Sequence, residues 1–193
     1  MRARQDVNAG EGQDRPNRRR ERRARPLDQP ALQELAFGYV ARFATSRAKL
    51  SSYLSRKLRE RGWSGDKDPD VAAVVDKVVG LGFVDDAAFA GMKAASLTRR
   101  GYGRGRVRQA LAASGIGAED GSEALALAED QQMAAALRFA QRRRIGPYAE
   151  AQGDMAARQK ALAAMLRAGH PMDLARRVVG AAPGDLEGLA DDA

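Results

Sequence analysis

Arginine is concentrated in two stretches of the sequence that contain no acidic residue, residues 87–118 and 131–149. A guanidinium group can hold a phosphate or a carboxylate through two parallel hydrogen bonds, which makes arginine the better residue for binding such anions. The stretches therefore predict a contact face for an anionic partner, and the alternative is a solvated basic helix face. The residues predicted to form the contact face are Arg99, Arg100, Arg104, Arg106, Arg108, Arg142, Arg143 and Arg144.

No set of side chains is typical of an active site or a metal site. The chain has no cysteine, and its single histidine, His170, belongs to no cluster of acids. The pair Asp85 and Asp86 precedes a predicted helix and is interpreted as a capping acid with a neighbour that matches the helix dipole. The glycine-rich segment 101–105 lacks the preceding strand and the Gly-Lys-Ser/Thr ending of a nucleotide-binding loop. We predict no catalytic, cofactor-binding or metal-binding residue and no enzymatic activity, with a small helical enzyme as the last-ranked alternative.

These arginines belong to a unit that the chain repeats. A basic helix that ends in glycine followed by a bulky residue recurs at Gly62-Trp63, Gly115-Ile116 and Gly169-His170, with the glycines 53 and 54 residues apart. The bulky residues, including Trp63 and His170, are interpreted as packing positions just after a helix end. A near-constant period indicates one small unit used three times, and such arrays present an extended surface to a partner.

Apolar residues at three- and four-residue steps predict helices throughout and no strands. The second helix is predicted to begin at Ser46 and end at Gly62, and the third to start at Asp68-Pro69. Phe43 and Met92 are expected on apolar helix faces. The predicted fold is all-α, with nine helices in three tandem three-helix repeats that form an elongated, curved array. The predicted divisions are a disordered basic arm 1–27, repeats 28–83, 84–129 and 130–180, and a disordered acidic tail 181–193.

The excess of +8 resides in residues 31–180, because residues 1–30, with a net charge of +4, and residues 181–193, with a net charge of −4, cancel one another. A basic folded region favours a polyanionic partner or an acidic protein surface. No stretch approaches the roughly 18 apolar residues of a membrane span, and the N-terminus lacks an apolar signal core. We expect a cytoplasmic protein, a monomer, that binds neither a membrane nor a small-molecule substrate.

The middle repeat carries an ordered set of motifs. In the segment 82–90 an aromatic, an aliphatic and two acidic residues precede Phe89-Ala90. A basic glycine-containing loop follows at 101–105, and then a helix that ends in Leu-x-x-x-Gly-Ile at Gly115-Ile116. This arrangement resembles the central signature of the RecX regulatory proteins. The signature residues interpreted as structural are Asp85, Asp86, Phe89, Ala90 and Gly115.

The resemblance implies three tandem three-helix units over roughly residues 31–180 and an action on the RecA recombinase. Members of the family bind RecA filaments on single-stranded DNA, lie in the filament groove and inhibit strand exchange, ATP hydrolysis and co-protease activity. The resemblance thus implies a regulator of homologous recombination, DNA repair and the SOS response, with RecA as partner and single-stranded DNA reached through the filament or weakly bound directly. The alternative is a general helical DNA-binding module that acts without RecA.

Overall fold

The computed structural model describes residues 25–190, and within this range the secondary structure is helical, with no extended strand. It also contains no helix long and apolar enough to cross a membrane. A single 3₁₀ turn, Gly146–Tyr148, separates two of the helices. The α-helices are α1 Gln29–Val40, α2 Arg47–Arg61, α3 Val71–Gly80, α4 Asp86–Arg99, α5 Arg104–Ala112, α6 Ala118–Asp130, α7 Gln132–Arg143, α8 Met155–Arg167, α9 Met172–Gly180 and α10 Glu187–Ala190.

Five of the ten described α-helices start at a side chain that accepts a hydrogen bond from the backbone N–H three residues later. The predicted caps Ser46 of α2 and Asp85 of α4 do so at 3.3 and 2.8 Å. The predicted start of α3 at Asp68-Pro69 is wrong by two residues, because Asp70 is the residue that caps it, through the N–H of Ala73 at 2.8 Å. The short acceptor side chain nearest the first turn therefore decides where the helix begins.

Each three-helix unit has its own hydrophobic core. The helices α1 to α3 enclose one core, α4 to α6 enclose a second, and α7 to α9 enclose a third. The predicted fold class, all-α with three tandem three-helix repeats, is confirmed. Two of the predicted inward-facing residues are wrong: Phe43 lies beyond the end of α1 and Met92 faces outward on α4, and both side chains are more than half exposed.

Both flanks predicted to be disordered contain residues that form ordered contacts in the structure. Leu27, assigned to the arm, is fully buried in the first core, and its N–H and C=O pair with Gly62 and Ser64 at 2.9 and 2.8 Å. A single buried leucine has no periodicity, so the apolar pattern could not reveal it. Residues 1–24 lie outside the described part of the chain.

The prediction of a disordered acidic tail is also wrong for residues 181–190, the part of the tail that the structure describes. It contains α10, and Leu189 is buried with about one-twentieth of its surface exposed. The N–H of Gly184 donates to the carbonyl of Pro147 at 2.8 Å, which fastens the segment to the third repeat. Residues 191–193 lie outside the described part of the chain. The glycine- and acid-rich composition of the tail does not indicate that Leu189 is buried.

The stop glycines are the points where consecutive repeats touch. At Gly169, with a φ of 91°, an added Cβ would collide with the backbone nitrogen of Arg106 in the second repeat. Backbone hydrogen bonds cross the same junction, from the N–H of Gly103 to the carbonyl of Ala168 at 2.9 Å and from Gly105 to Gly169 at 3.0 Å. The last turn of α8 therefore lies directly against the first turn of α5.

The junction between the first and second repeats is built in the same way. An added Cβ on Gly115 would collide with Ala48 near the start of α2. The hydroxyl of Ser46 donates to the carbonyl of Ser114 at 2.5 Å, so the N-cap residue of one repeat meets the residue before the stop glycine of the next. An added Cβ on Gly62, the stop of the first repeat, would meet only open space.

We predict that Gly169→Ala destabilises the protein more than Gly82→Ala, which is a matched control. Both glycines follow a helix in a left-handed conformation with the same pattern of closing hydrogen bonds, but only Gly169 has another chain segment against it. The left-handed backbone alone costs about 1 kcal/mol, and the collision raises the total to about 3 kcal/mol. Urea unfolding followed by circular dichroism measures the two losses, and equal losses would contradict the junction.

Candidate arginine cleft

The structure brings only part of the predicted contact face together. Arg100, which caps the end of α4, lies beside Arg142 and Arg143 in the last turn of α7. Arg104 instead pairs with Glu129 of α6, with its Nε 3.0 Å from the carboxylate, and Arg144 pairs with Glu150 at 2.8 Å. The remaining predicted residues line no described cavity: Arg99, Arg106 and Arg108.

Arg100 and its neighbours line an open cavity of about 440 Å³ where the second and third repeats meet. One of its four charged residues, Arg167, was not on the predicted face. Arg167 lies in the last turn of α8, and the junction at Gly169 carries that turn to the loop before α5. This arginine cleft is defined by Arg100, Tyr102, Phe139, Arg142, Arg143 and Arg167, with Ala164 of α8 and its C-cap Ala168 completing the wall.

Ring faces and one carbonyl hold the guanidinium groups of the arginine cleft. Those of Arg142 and Arg143 lie 5.5 and 5.8 Å from the ring centre of Phe139, and that of Arg100 lies 5.5 Å from the ring of Tyr102. The Nη1 of Arg142 also donates to the carbonyl of Arg100 at 2.6 Å, which joins α7 to the end of α4. Such contacts of cations with aromatic faces contribute roughly 0.5–1 kcal/mol at exposed sites. Three of the four arginines, Arg100, Arg142 and Arg143, therefore have contacts within the chain that orient them.

No acidic residue lines the arginine cleft, and within residues 25–190 no carboxylate pairs with its arginines. Each of the four is at or near the C-terminal end of a helix, α4, α7 or α8, where the negative end of the helix dipole favours a cation. This position explains how like charges can converge without a partner acid. It also leaves their net positive charge facing the solvent.

A second cavity, of about 540 Å³, adjoins the arginine cleft on the third repeat. The two share Arg143 and Ala164, so the surface is continuous from one to the other. Arg158 and Lys160 of α8 add further positive charge. Its one acid, Glu150, is already paired with Arg144, so the adjoining cavity is basic as well.

His170 lies beneath the arginine cleft as a buried packing residue, with 3% of its surface exposed. Its ring stands 5.7 Å from that of Phe139, and its Nε2 is 3.1 Å from the carbonyl oxygen of Gly101. Burial lowers the pKa of His170 below the ordinary value of 6.5, and the contact with the Gly101 carbonyl opposes that shift. The imidazole is therefore neutral at neutral pH.

The signature residues have structural roles in the helical framework. Asp85 caps α4, and Asp86 accepts a hydrogen bond from the N–H of Arg47 at 2.9 Å, which ties the start of α4 to the start of α2. Phe89 and Ala90 are buried in the second core, and Gly115 forms the first junction. Within the described residues no group of three or more acidic or histidine side chains could hold a metal ion.

Comparison with known proteins relates this arrangement to one family. The second three-helix domain of RecX matches residues 85–125. The chain is 31% identical over 180 residues to the regulatory protein RecX of Myxococcus xanthus (strain DK1622), a match that covers 89% of this chain and 96% of that relative. The similarity thus extends across all three repeats.

Two solved structures share the fold. A crystal structure of regulatory protein RecX has a TM-score of 0.61 and 22% identity, covering 79% of this chain and 71% of that one. A crystal structure of RecX from Lactobacillus salivarius has a TM-score of 0.59 and 17% identity, covering 78% and 94%. These likenesses support the tandem three-helix architecture.

The pKa of His170 predicts a pH dependence of stability that His170→Gln removes. The unfolded chain binds a proton near pH 6.5, whereas the folded chain resists it, so acidification favours unfolding. We expect the free energy of unfolding of the natural chain to fall relative to that of His170→Gln as the pH decreases from about 7.5 to about 5.5. The free energies of unfolding of the two chains, measured with urea, would contradict this assignment if they changed in parallel with pH. A natural chain that became more stable in acid relative to His170→Gln would contradict it as well. No other histidine contributes, because the chain has one.

Proposed function

We propose that this chain, which belongs to the RecX family of regulatory proteins, binds RecA filaments on single-stranded DNA and inhibits their activities. The observation that carries the proposal is the match to the Myxococcus relative over almost the whole length of both chains. Because the match includes every repeat, it supports a shared mode of action for the whole array. The chain would then act in the cytoplasm on recombination, DNA repair and the SOS response.

The exposed arginines support a partner that carries negative charge. Arg106 and Arg108 of α5 and Arg99 of α4 are exposed, and none of them has a carboxylate partner within the described residues. We propose that these residues contact acidic protein surface of the filament. Arg104 is removed from this set, because its guanidinium group is already paired with Glu129.

The proposed mode of inhibition is binding without catalysis. Each repeat has its own core and presents its own surface, as in other helical arrays. Such a chain can touch adjacent RecA protomers at once and hold them in one arrangement. Hydrolysis of ATP and strand exchange would slow because the protomers could no longer move relative to one another.

We expect the purified chain, at less than one molecule per RecA protomer, to slow ATP hydrolysis by RecA of the same organism on single-stranded DNA. Arg108→Glu should raise the concentration needed for half-inhibition about fivefold or more, because a filament carboxylate would then meet a like charge. Arg176→Glu is the matched control, since Arg176 is an exposed arginine at the same fifth position of another nine-residue helix, α9.

The titration also separates the proposal from its alternative. Absence of slowing over a broad concentration range, with active RecA confirmed, would contradict the action on RecA. Equal inhibition by Arg108→Glu and Arg176→Glu would contradict the contact face while leaving the function in place. A chain that binds bare DNA tightly, with a steep salt dependence and no effect of RecA, would favour the general DNA-binding module.

A further inference from the structure

We propose that the adjoining cavity of the third repeat binds an acidic peptide segment, with one apolar side chain of the segment inside the cavity and its carboxylates on the surrounding cations. Such a site goes beyond the proposed function, because it assigns a ligand to a surface outside α5 and requires neither RecA nor DNA. The adjoining cavity lies between the end of α7, the first half of α8 and the segment that follows α9.

The floor of the adjoining cavity is apolar. Ile145, just beyond α7, is buried, and Ala161 and Ala164 of α8 and Val179 of α9 are half-buried. At about 540 Å³, the cavity is within the range of sites that hold ligands in a mostly apolar lining with a few polar groups. An apolar side chain from a partner would therefore gain by leaving water at this place.

The wall formed by the first half of α8 is uncovered in the described part of the chain. The side chains of residues 154–160 are all exposed, and Met155 is 75% exposed. The helix is nevertheless fixed at its start, because the carboxylate of Asp154 accepts a hydrogen bond from the N–H of Ala157 at 2.7 Å. Helices in proteins owe most of their stability to the packing of an apolar face, so this uncovered start is suited to packing against a partner.

Three cations without a partner acid surround the floor. Arg143, Arg158 and Lys160 line the adjoining cavity, and none of them forms an ion pair with another described residue. The one acid in the lining, Glu150, is already paired with Arg144 at 2.8 Å. Electrostatic complementarity therefore favours a ligand that carries several negative charges around its apolar part.

The lining favours an acidic peptide over a strand of nucleic acid. No aromatic side chain among the described residues lines the adjoining cavity, so bases would find no ring on which to stack. Every nucleotide carries a charged phosphate beside a polar base, whereas a peptide can place an aliphatic side chain between two carboxylates. An apolar floor bordered by cations matches the peptide.

The tail of the chain is itself an acidic segment that packs on the third repeat. Residues 185–189 contain two acids and two leucines, and Leu189 is buried, with 5% of its surface exposed. The Nη2 of Arg177 in α9 donates to the carbonyl of Leu189 at 3.3 Å. Before it reaches that point, the tail borders the adjoining cavity at Ala181 and Pro183. The third repeat thus already holds one acidic segment through a leucine, beside the cavity that we assign to a second.

The first test measures binding of a fluorescein-labelled acidic peptide by the full chain, without RecA or DNA, through fluorescence anisotropy. The peptide has a central leucine, four aspartates and serine at its remaining four positions. A peptide with serine in place of the leucine should bind at least about tenfold more weakly, because it loses the burial of a leucine side chain. Equal affinity for the two peptides would overturn the proposal, since binding would then follow charge alone.

Ala157→Glu tests the position of the site, with Ala156→Glu as its matched control. Both alanines are exposed in the first turn of α8, where the helix dipole favours a carboxylate, but only Ala157 lines the adjoining cavity. Ala157→Glu should bind the leucine peptide at least about tenfold more weakly, because its carboxylate repels the aspartates and occupies cations that they need. Ala156→Glu should stay within about threefold of the natural chain. With native circular dichroism and melting temperature in both variants, equal weakening would contradict the site.

The same pair of variants separates a peptide from a strand of nucleic acid. A labelled twenty-nucleotide thymidine strand should bind Ala157→Glu and Ala156→Glu with affinities within about threefold of one another. A strand that discriminates between the two variants as strongly as the leucine peptide does would overturn the assignment to a peptide.

The result is separable from the action on RecA. A chain that binds the leucine peptide through the adjoining cavity but does not slow RecA would contradict the proposed function alone. A chain that slows RecA but binds the leucine and serine peptides equally would contradict the peptide site alone.

Discussion

The repeats are held together where a stop glycine lies in close contact with the neighbouring repeat. Gly169 lies against Arg106, and Gly115 lies against Ala48, with no room for a side-chain carbon at either glycine. Each three-helix unit is small and has its own core, so the units need such contacts to keep a fixed relation to one another. The glycine that ends a helix by adopting a left-handed conformation also permits the next repeat to dock.

The same junction determines what the surface can do. It carries the end of α8, with Arg167, to the loop that joins α4 to α5, and Arg142 bonds to the carbonyl of Arg100 across the same boundary. Arginines that are distant in sequence thereby form one cleft, supported by Phe139 and Tyr102. Burial of His170 directly beneath keeps an uncharged ring there, so the floor of the cleft adds no further positive charge at neutral pH.

Local signals made the helices, the repeat and the family predictable from sequence. Capping side chains such as Ser46 and the glycines at the helix ends act within one helical turn, so a short stretch of sequence reveals them. Long-range contacts were not predictable: nothing near Arg104 indicates its pairing with Glu129, and nothing near Arg167 places it beside Arg100. The sequence likewise gives no sign that Leu27 completes the first core, because one apolar residue has no period.

The role of the junction is tested most directly by the concentration of Gly169→Ala that halves ATP hydrolysis by RecA on single-stranded DNA. This variant keeps every arginine, and the measurement belongs at a temperature where circular dichroism shows native helicity. We expect half-inhibition by Gly169→Ala to require at least about tenfold more protein, while Gly82→Ala, with open space around its glycine, inhibits like the natural chain. Native inhibition by a folded Gly169→Ala chain would contradict this role.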